Sequence, residues 1–445
     1  MREDRVHMAE PRRARLGIPR GDVRVVSGML VAFAFLRVLA VRTTPLLYHD
    51  TDEYRRLQFL GGRRPWTVPL FFWFMPSDQW RIVEQALISA VAWVTVALVV
   101  AAAIDDRWIR RATIATFLAV GLTTQITNWD TAILSDSITI SLTVLLIASW
   151  IAVYRAPGRW SVVGVLAATT LWTFSRELHL YITAAVAVLV AVVVVVRRLR
   201  SAWRIVAVGL VLISGLAVAQ SRSNQNTAVE NLAGVIGARV LPDRNVRQWF
   251  VDAGMPAMPQ LAVGQFHPDK ELLALPDFNR WARGSGWWVF GRYLLTHPRA
   301  AIPGPYGELL EERPTYADEP PGNAVLLSPA EAYGRSRPVL PAGIENVLFN
   351  PGRTGSLLTF AAVALGGTLI LRSRTGPDRR RHIPIIAIVV ALAYVALAWH
   401  GSVYEPGRHA MPAAAAVRVG LFALLAVIAD GAVSSRGQMA TEAPR

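Results

Sequence analysis

Apolar residues in this chain come in long unbroken runs, not at the spacing of a half-buried helix or strand. Runs near 24–42, 82–104, 112–127, 132–154, 160–175, 178–196, 205–220, 356–371, 383–400 and 410–430 approach the roughly 17–25 apolar residues that a bilayer-crossing helix needs. The pattern predicts an all-α polytopic membrane protein of about ten spans. The pairs 112–154 and 160–196 read as tight hairpins, and the run at 160–175 is short enough to tilt or to be partly re-entrant. The organisation that follows is a basic tail at 1–23, a seven-span module at 24–220, a long hydrophilic segment at 221–355, three further spans at 356–430 and a tail at 431–445. Residues 1–23 carry six arginines, but no small-residue cleavage site follows the first apolar run, which therefore reads as an anchored span and not as a signal peptide.

Composition strengthens this picture. Of 445 residues, 53% are hydrophobic and 17% charged, with a mean hydropathy of +0.36. A soluble domain carries more charge. The absence of cysteine excludes disulfides, thiolate chemistry and Cys-ligated metal sites. The formal charge of +15 is almost wholly arginine, Lys270 being the single lysine. In so apolar a chain this charge points to orienting loops and anionic lipid, not to nucleic acid. The Arg, Ala and Val bias resembles coding from a high-GC genome such as an actinobacterium's.

Charge then orients the spans. Cytoplasmic loops gather arginine. With the N-terminus inside, Arg107, Arg110 and Arg111, then Arg155 and Arg159, then Arg197, Arg198, Arg200 and Arg204, then Arg372, Arg374, Arg379, Arg380 and Arg381 all fall inside. Both ends are then cytoplasmic, in a multi-pass protein of the cytoplasmic (plasma) membrane. Loop 43–81 breaks the rule with Arg55, Arg56, Arg63, Arg64 and Arg81, which marks it as unusual. Segment 221–355 falls outside as a non-cytoplasmic domain between spans seven and eight. It carries Trp249, Trp281, Trp287 and Trp288, and 281–296 reads as an interfacial amphipathic helix. No internal repeat is visible, which disfavours transporters built from inverted repeats.

The same parity collects costly polar groups at outer loops and outer span ends. They are Asp50, Asp52 and Glu53; Asn128, Asp130 and Asp136; Arg176, Glu177 and His179; and Glu405, Arg408 and His409. Ionisable groups at membrane depth are functional candidates by default. Tyr48 to Tyr54 places three carboxylates within four residues, which reads either as a solvated acidic turn or as a general base with its tuning partners. Asp136 reads as a helix N-cap or as a site acid. Arg176 and Arg408 read as snorkelling or locally paired cations, or as phosphate ligands. His49 with Asp50 and Asp52 offers a divalent-ion site, but no metal-ligand spacing supports it, so neither metal nor cofactor is indicated. The aromatic run from Phe71 to Phe74 is too short to span and suits headgroup level.

Several of these residues fall into motifs. Asp50 and Tyr54 match an Asp-x-x-x-Tyr in a first outer loop. Arg64-Pro65 to Pro69-Leu70 is followed by Ser135-Asp136 at the start of span four, by Arg176, and by Tyr404-Glu405 to Arg408-His409 and Pro412. In their order and common side they resemble the C-type (GT-C) glycosyltransferases that use polyprenyl-phosphate sugars, such as protein O-mannosyltransferases and the aminoarabinose transferases of lipid A. Asp136 stands where that family has Glu, and His409 where it has Tyr. The resemblance implies a GT-C-like fold and an inverting glycosyltransferase. A sugar would move from a polyprenyl-phosphate donor to a hydroxyl of a glycan, lipid or protein acceptor at the extracytoplasmic face. It implies Asp50 as catalytic base, with Asp52, Glu53, Tyr54, Asp136, Arg176, His179, Glu405, Arg408 and His409 contacting substrate. The alternative is a transporter or flippase for a lipid-linked or anionic solute, which would carry its charges near the midplane.

Overall fold

The computed structural model describes residues 20–48, 50–59, 64–199, 201–223, 225–258, 268–301, 336–349, 379–401 and 406–442. Among these the chain is helical apart from one isolated parallel bridge, Leu46 to Ala132. The first seven main helices are α1 (Val23–Ala40), α2 (Asp78–Ala101), α3 (Arg107–Leu122), α4 (Asp136–Arg155), α5 (Arg159–Thr173), α6 (Glu177–Arg197) and α7 (Ser201–Ser223). There follow α8 (Gln225–Val235), α9 (Trp287–Thr296), α10 (Ala342–Phe349), α11 (His382–Gly401) and α12 (Pro406–Glu442).

Seven helices among the described residues (α1, α2, α4, α6, α7, α11 and α12) are long and apolar enough to cross a membrane. The predicted spans 112–127 and 160–175 fall on α3, of 16 residues, and α5, of 15 residues, which are shorter than that. The predicted span 356–371 lies outside the described residues. Two boundaries differ for a local reason. Helix α3 stops at Leu122 because Thr123 is extended (ψ 149°). Helix α4 starts at Asp136, not 132, because Ala132 and Ile133 are drawn alongside Leu46: Leu46 N–H donates to the Thr131 carbonyl at 2.8 Å and Ile133 N–H to the Leu46 carbonyl at 3.1 Å.

Helices α4 and α12 run through the middle of the bundle, while α1 and α7 are peripheral. Val188, Val195 and Val196 of α6 remain exposed, as suits side chains facing hydrocarbon. Along α12 the run Ala413–Ala416 is buried, and small residues let helices approach closely in lipid. Gly420 shows how closely: a Cβ there would lie 2.6 Å from Ile388 and 2.8 Å from the Pro384 carbonyl of α11.

The alternation of helix direction sorts the polar groups into two ends. At one end Asp22 takes Arg110 and Arg111 at 2.7 Å each, Asp430 takes Arg380 at 2.7 Å, and Arg155 donates to the Ala102 carbonyl at 2.6 Å. At the other end meet the C-termini of α1, α3, α5 and α11 and the N-termini of α2, α4, α6 and α12. The arginines of loop 43–81 that are described are matched locally: Arg55 and Arg81 with Asp78, Arg64 with Glu53 and Asp50, while Arg56 lies exposed.

Residues 225–258 and 268–301 pack around a second core that includes Leu232, Ile236, Phe250, Phe278 and Phe290. Within 281–296, Val289, Phe290 and Tyr293 turn into that core, while Trp288 and Leu295 stay exposed at 74% and 82%. This unit rests on the end of α11, where Arg239 donates to the Trp399 carbonyl and Phe290 lies 6.1 Å from His400. Helix α10 is tied to the same end of the bundle, its Glu345 accepting from Thr124 N–H at 3.1 Å and Thr124 Oγ1 at 2.7 Å.

Candidate functional site

The loop after α1 ends in a single helical turn, Thr51–Tyr54, with Asp50 at its N-cap position. Thr51 Oγ1 accepts from Tyr48 N–H at 2.8 Å and donates to the Ile133 carbonyl at 3.1 Å, so the turn is fastened to the start of α4. Residues four apart share a helix face. Asp50 and Tyr54 therefore point together into the bundle, while the Asp52 side chain is 74% exposed and pairs with Arg55 at 2.6 Å. The structure does not bring Asp52 to the cluster described next, because it lies on the opposite face of this turn.

Five segments meet around two carboxylates. Arg408, in the first turn of α12, bridges them: its Nη2 lies 3.0 Å from Asp50 Oδ2 and its Nε 3.1 Å from Asp136 Oδ2. Arg176, just ahead of α6, donates to Asp136 Oδ1 and, at 3.2 Å, to Ser135 Oγ. Its Nη1 lies 3.2 Å from the His409 carbonyl and 3.3 Å from His409 Nδ1. Arg64 approaches Asp50 Oδ2 at 3.5 Å, takes Glu53 Oε2 at 2.7 Å and lies 5.1 Å over the Tyr54 ring. Tyr54 O–H donates to Ser135 Oγ at 3.1 Å. Asp50, Asp136, Arg176 and Arg408 are all buried.

Asp136 is thus not spent on capping α4, where no side-chain cap bond forms at Ser135, and Arg176 pairs across the bundle, not with Glu177. Burial opposes the charge of Arg64, but Tyr54, Glu177, Asp50 and Glu53 outweigh it and hold the guanidinium above its usual range. Burial pushes the Tyr54 phenol up. Three guanidiniums (Arg64, Arg176, Arg408) face three carboxylates (Asp50, Glu53, Asp136), so the cluster is close to neutral as it stands.

His179 lies beneath this layer. Its ring stacks on Trp172 at 3.8 Å, Nδ1 sits 2.6 Å from the Trp172 carbonyl and Nε2 3.1 Å from the Tyr394 hydroxyl. It underlies Arg176 and takes no part in the ion pairs. Glu405 lies outside the described residues, as does His49. Among the described residues no group of three or more His or acidic side chains is arranged to hold a metal ion.

Sequence reasoning passed over the support of this site. Arg37, buried in α1, pairs with Asp130 at 2.5 Å and reaches Ser89 Oγ at 2.6 Å. Ser137 donates to Asp130 at 2.6 Å, and Gln85 holds the Asp130 and Ala132 carbonyls at 3.1 Å each. Burial pushes the Asp130 carboxyl up, against the pull of Arg37. This network fixes the segment ahead of Asp136 against the one ahead of Asp50. Asp130 was among the polar groups that parity collected, whereas its partner showed only as a lone arginine in the apolar run of α1. Arg418, inside α12, gave the same signal; it donates to the Phe349 carbonyl and lies 4.5 Å over the Phe349 ring.

No family model matches the chain, and no curated protein matches it. Among solved structures it is similar to the archaeal oligosaccharyltransferase AglB from Archaeoglobus fulgidus, in complex with an inhibitory peptide and a dolichol-phosphate. The TM-score is 0.46 at 14% identity, covering 96% of this chain and 53% of that one. It is also similar to ArnT from Cupriavidus metallidurans bound to undecaprenyl phosphate, with a TM-score of 0.26 at 15% identity, covering 92% of this chain and 78% of that one. The chain thus spans about half the length of the first of these.

Proposed function

We propose that this chain is a membrane glycosyltransferase of the GT-C kind. It moves a sugar from a polyprenyl-phosphate donor to an acceptor hydroxyl at the extracytoplasmic face, with Asp50 as general base. The observation that carries the reading is one buried guanidinium, Arg408, held between Asp50 and Asp136 and flanked by Arg64 and Arg176. Guanidiniums are suited to phosphate through paired hydrogen bonds. The positive-inside arginines lie at the opposite end of the bundle, which supports reading this end as the outer one.

Charge is conserved within the cluster through such a step. The acceptor O–H proton passes to Asp50 while its oxygen attacks the anomeric carbon. The carbon–oxygen bond to phosphate breaks on the opposite face, inverting the sugar. The donor phosphodiester, singly negative, leaves as a phosphomonoester with one more negative charge, and Asp50 loses one as it is protonated. Arg408, no longer drawn to Asp50, turns to the leaving phosphate, where a preorganised cation lowers the barrier. Arg176, fixed by Asp136, Ser135 and His409, holds the phosphate throughout, and Tyr54 and Glu53 keep Arg64 in place. The unit formed by 225–258 and 268–301 rests on the end of α11 at this face, which makes it the part of the chain we assign to the acceptor.

The test is an assay of membranes containing the chain or its Asp50→Asn variant, given polyprenyl-phosphate mannose and polyprenyl-phosphate arabinofuranose. Release of polyprenyl phosphate that depends on Asp50 supports the reading. Release that is identical in the variant overturns it.

A further inference from the structure

A second set of cations lies at the same end of the bundle but apart from the ion cluster. Helix α1 ends at Ala40, and a groove of about 520 Å³ opens beside its last turn. Its lower wall is Val38 and Leu39, which are exposed on a membrane-crossing helix and so face hydrocarbon. Its upper wall is Arg42, Thr43 and Thr44, with Arg337 reaching in from a part of the chain nearly three hundred residues away. That far wall is anchored. Arg337 N–H donates to the Ala40 carbonyl at 2.8 Å, and the neighbouring Ser336 bonds Asn128 Oδ1 through its N–H and its hydroxyl at 2.7 Å each.

The arginines of this groove differ from those of the catalytic cluster. Arg64, Arg176 and Arg408 all have carboxylates within salt-bridge distance. None of the residues lining the groove is acidic, and both of its arginines are exposed. The end of α1 would by itself repel an anion, since helix C-termini are partly negative. Two of its last four carbonyls are already taken, Ala40 by Arg337 N–H and Arg37 by Val41 N–H, which reduces that repulsion beside the two guanidiniums.

We infer that this groove is a binding site for a lipid phosphate: one hydrocarbon chain lies along Val38 and Leu39, and the phosphate sits between Arg42 and Arg337 within reach of the Thr43 and Thr44 hydroxyls. Guanidinium and hydroxyl groups above apolar side chains match the order of phosphate above acyl or prenyl chain at a membrane surface. The site is independent of the glycosyl-transfer reading. Two lipids share the required chemistry, an anionic phospholipid of the surrounding bilayer and a polyprenyl monophosphate.

The experiment uses the full chain, purified in mild detergent, delipidated, and titrated separately with phosphatidylglycerol, phosphatidylcholine and undecaprenyl phosphate, with bound lipid read by native mass spectrometry. Wild-type protein should retain at least one of the two anionic lipids over phosphatidylcholine, and the lipid whose retention falls when Arg42 and Arg337 are replaced is the occupant of the groove. The double variant Arg42→Gln/Arg337→Gln should weaken that retention about tenfold, whereas Arg197→Gln, at the opposite end of the bundle, should not. Gel filtration establishes that each variant is folded, and Arg42→Lys/Arg337→Lys should restore part of the affinity. Equal retention by wild type and the glutamine double variant, or no preference for anionic lipid in wild type, would overturn the site.

Discussion

The two ends of the bundle are both rich in arginine–carboxylate pairs, yet they are built differently. At the end that holds Asp22, Asp105 and Asp430 the arginines keep a solvated edge: Arg380, 28% exposed, pairs with Asp430 at 2.7 Å and approaches Asp105 at 3.6 Å, Asp22 takes Arg110 and Arg111 of α3, and backbone groups share the load. Asp430, for example, also accepts from the backbone N–H of Asp105 and Asp106 at 3.0 and 2.8 Å. At the other end Arg408 is shared by two carboxylates that come from segments 86 residues apart in number, Asp50 and Asp136, and all three groups are buried. Sharing occurs at both ends; what differs is burial, since Arg408, Asp50 and Asp136 are at most 4% exposed at the side chain while Arg380 and Asp105 are 28% and 87% exposed. A shared arginine buried together with both its acids carries a desolvation cost that the ion pairs need not repay, which is the physical ground for proposing the second arrangement as the site.

The largest effect expected from breaking this contrast is on Asp50. Asp50→Asn should lower sugar transfer by roughly a thousandfold, within the range for loss of a positioned base, while detergent-solubilised protein keeps its elution profile. Next, Asp136→Ala removes the carboxylate common to Arg176 and Arg408 and leaves two buried cations with one acid fewer. It should destabilise the fold by about 3–5 kcal/mol, read as a large fall in melting temperature. At the opposite end Asp430→Asn loses an ion pair with Arg380 but keeps an acceptor for the two backbone donors. The expected cost is smaller, about 1–2 kcal/mol, with transfer activity intact.

A pH scan sharpens the comparison further. Hydrogen bonds from Arg110 and Arg111 hold the Asp22 carboxyl below its ordinary range. Its contribution to stability is therefore fully present above the unfolded-state value of about 3.9. It is lost as pH falls through the lowered folded-state value. Asp22→Asn should remove that part of the acid dependence of melting and leave the neutral and alkaline range flat. The smallest effect belongs to the solvated pair Arg280–Asp277, whose side chains are 78% and 76% exposed. Arg280→Gln should leave the melting temperature unchanged within error, since exposed pairs contribute little.

The chain made some of this legible and hid the rest for identifiable reasons. Parity put Asp50, Asp136, Arg176 and Arg408 at one end, because each short loop reverses the direction of the next span, and the structure brings these four into contact. Of the three acids at 50–53 the family resemblance singled out Asp50, but spacing alone did not tell them apart. Only the helical turn at Thr51–Tyr54 separates them, sending Asp50 inward, Glu53 to Arg64 and Asp52 to solvent. His179 was grouped with the site by its nearness to Arg176 in sequence, yet the start of α6 turns it down onto Trp172 and Tyr394.

The sequence by itself determined where apolar helices lie, which way they alternate and which loops are basic. These are local properties, written in runs of residues that must each satisfy the bilayer alone. It did not determine which charge meets which. The Arg37–Asp130 pair joins residues 93 apart, and Arg408 and Asp50 are 358 apart. Such partners carry no periodic signal. They are chosen by how α1, α4, α6 and α12 pack, and by the close approach of small residues along α12. In a low-dielectric interior a buried charge left without its partner would prevent that packing. The tertiary structure therefore decided which arginines gather around Asp50 and Asp136 and which join helices at the other end.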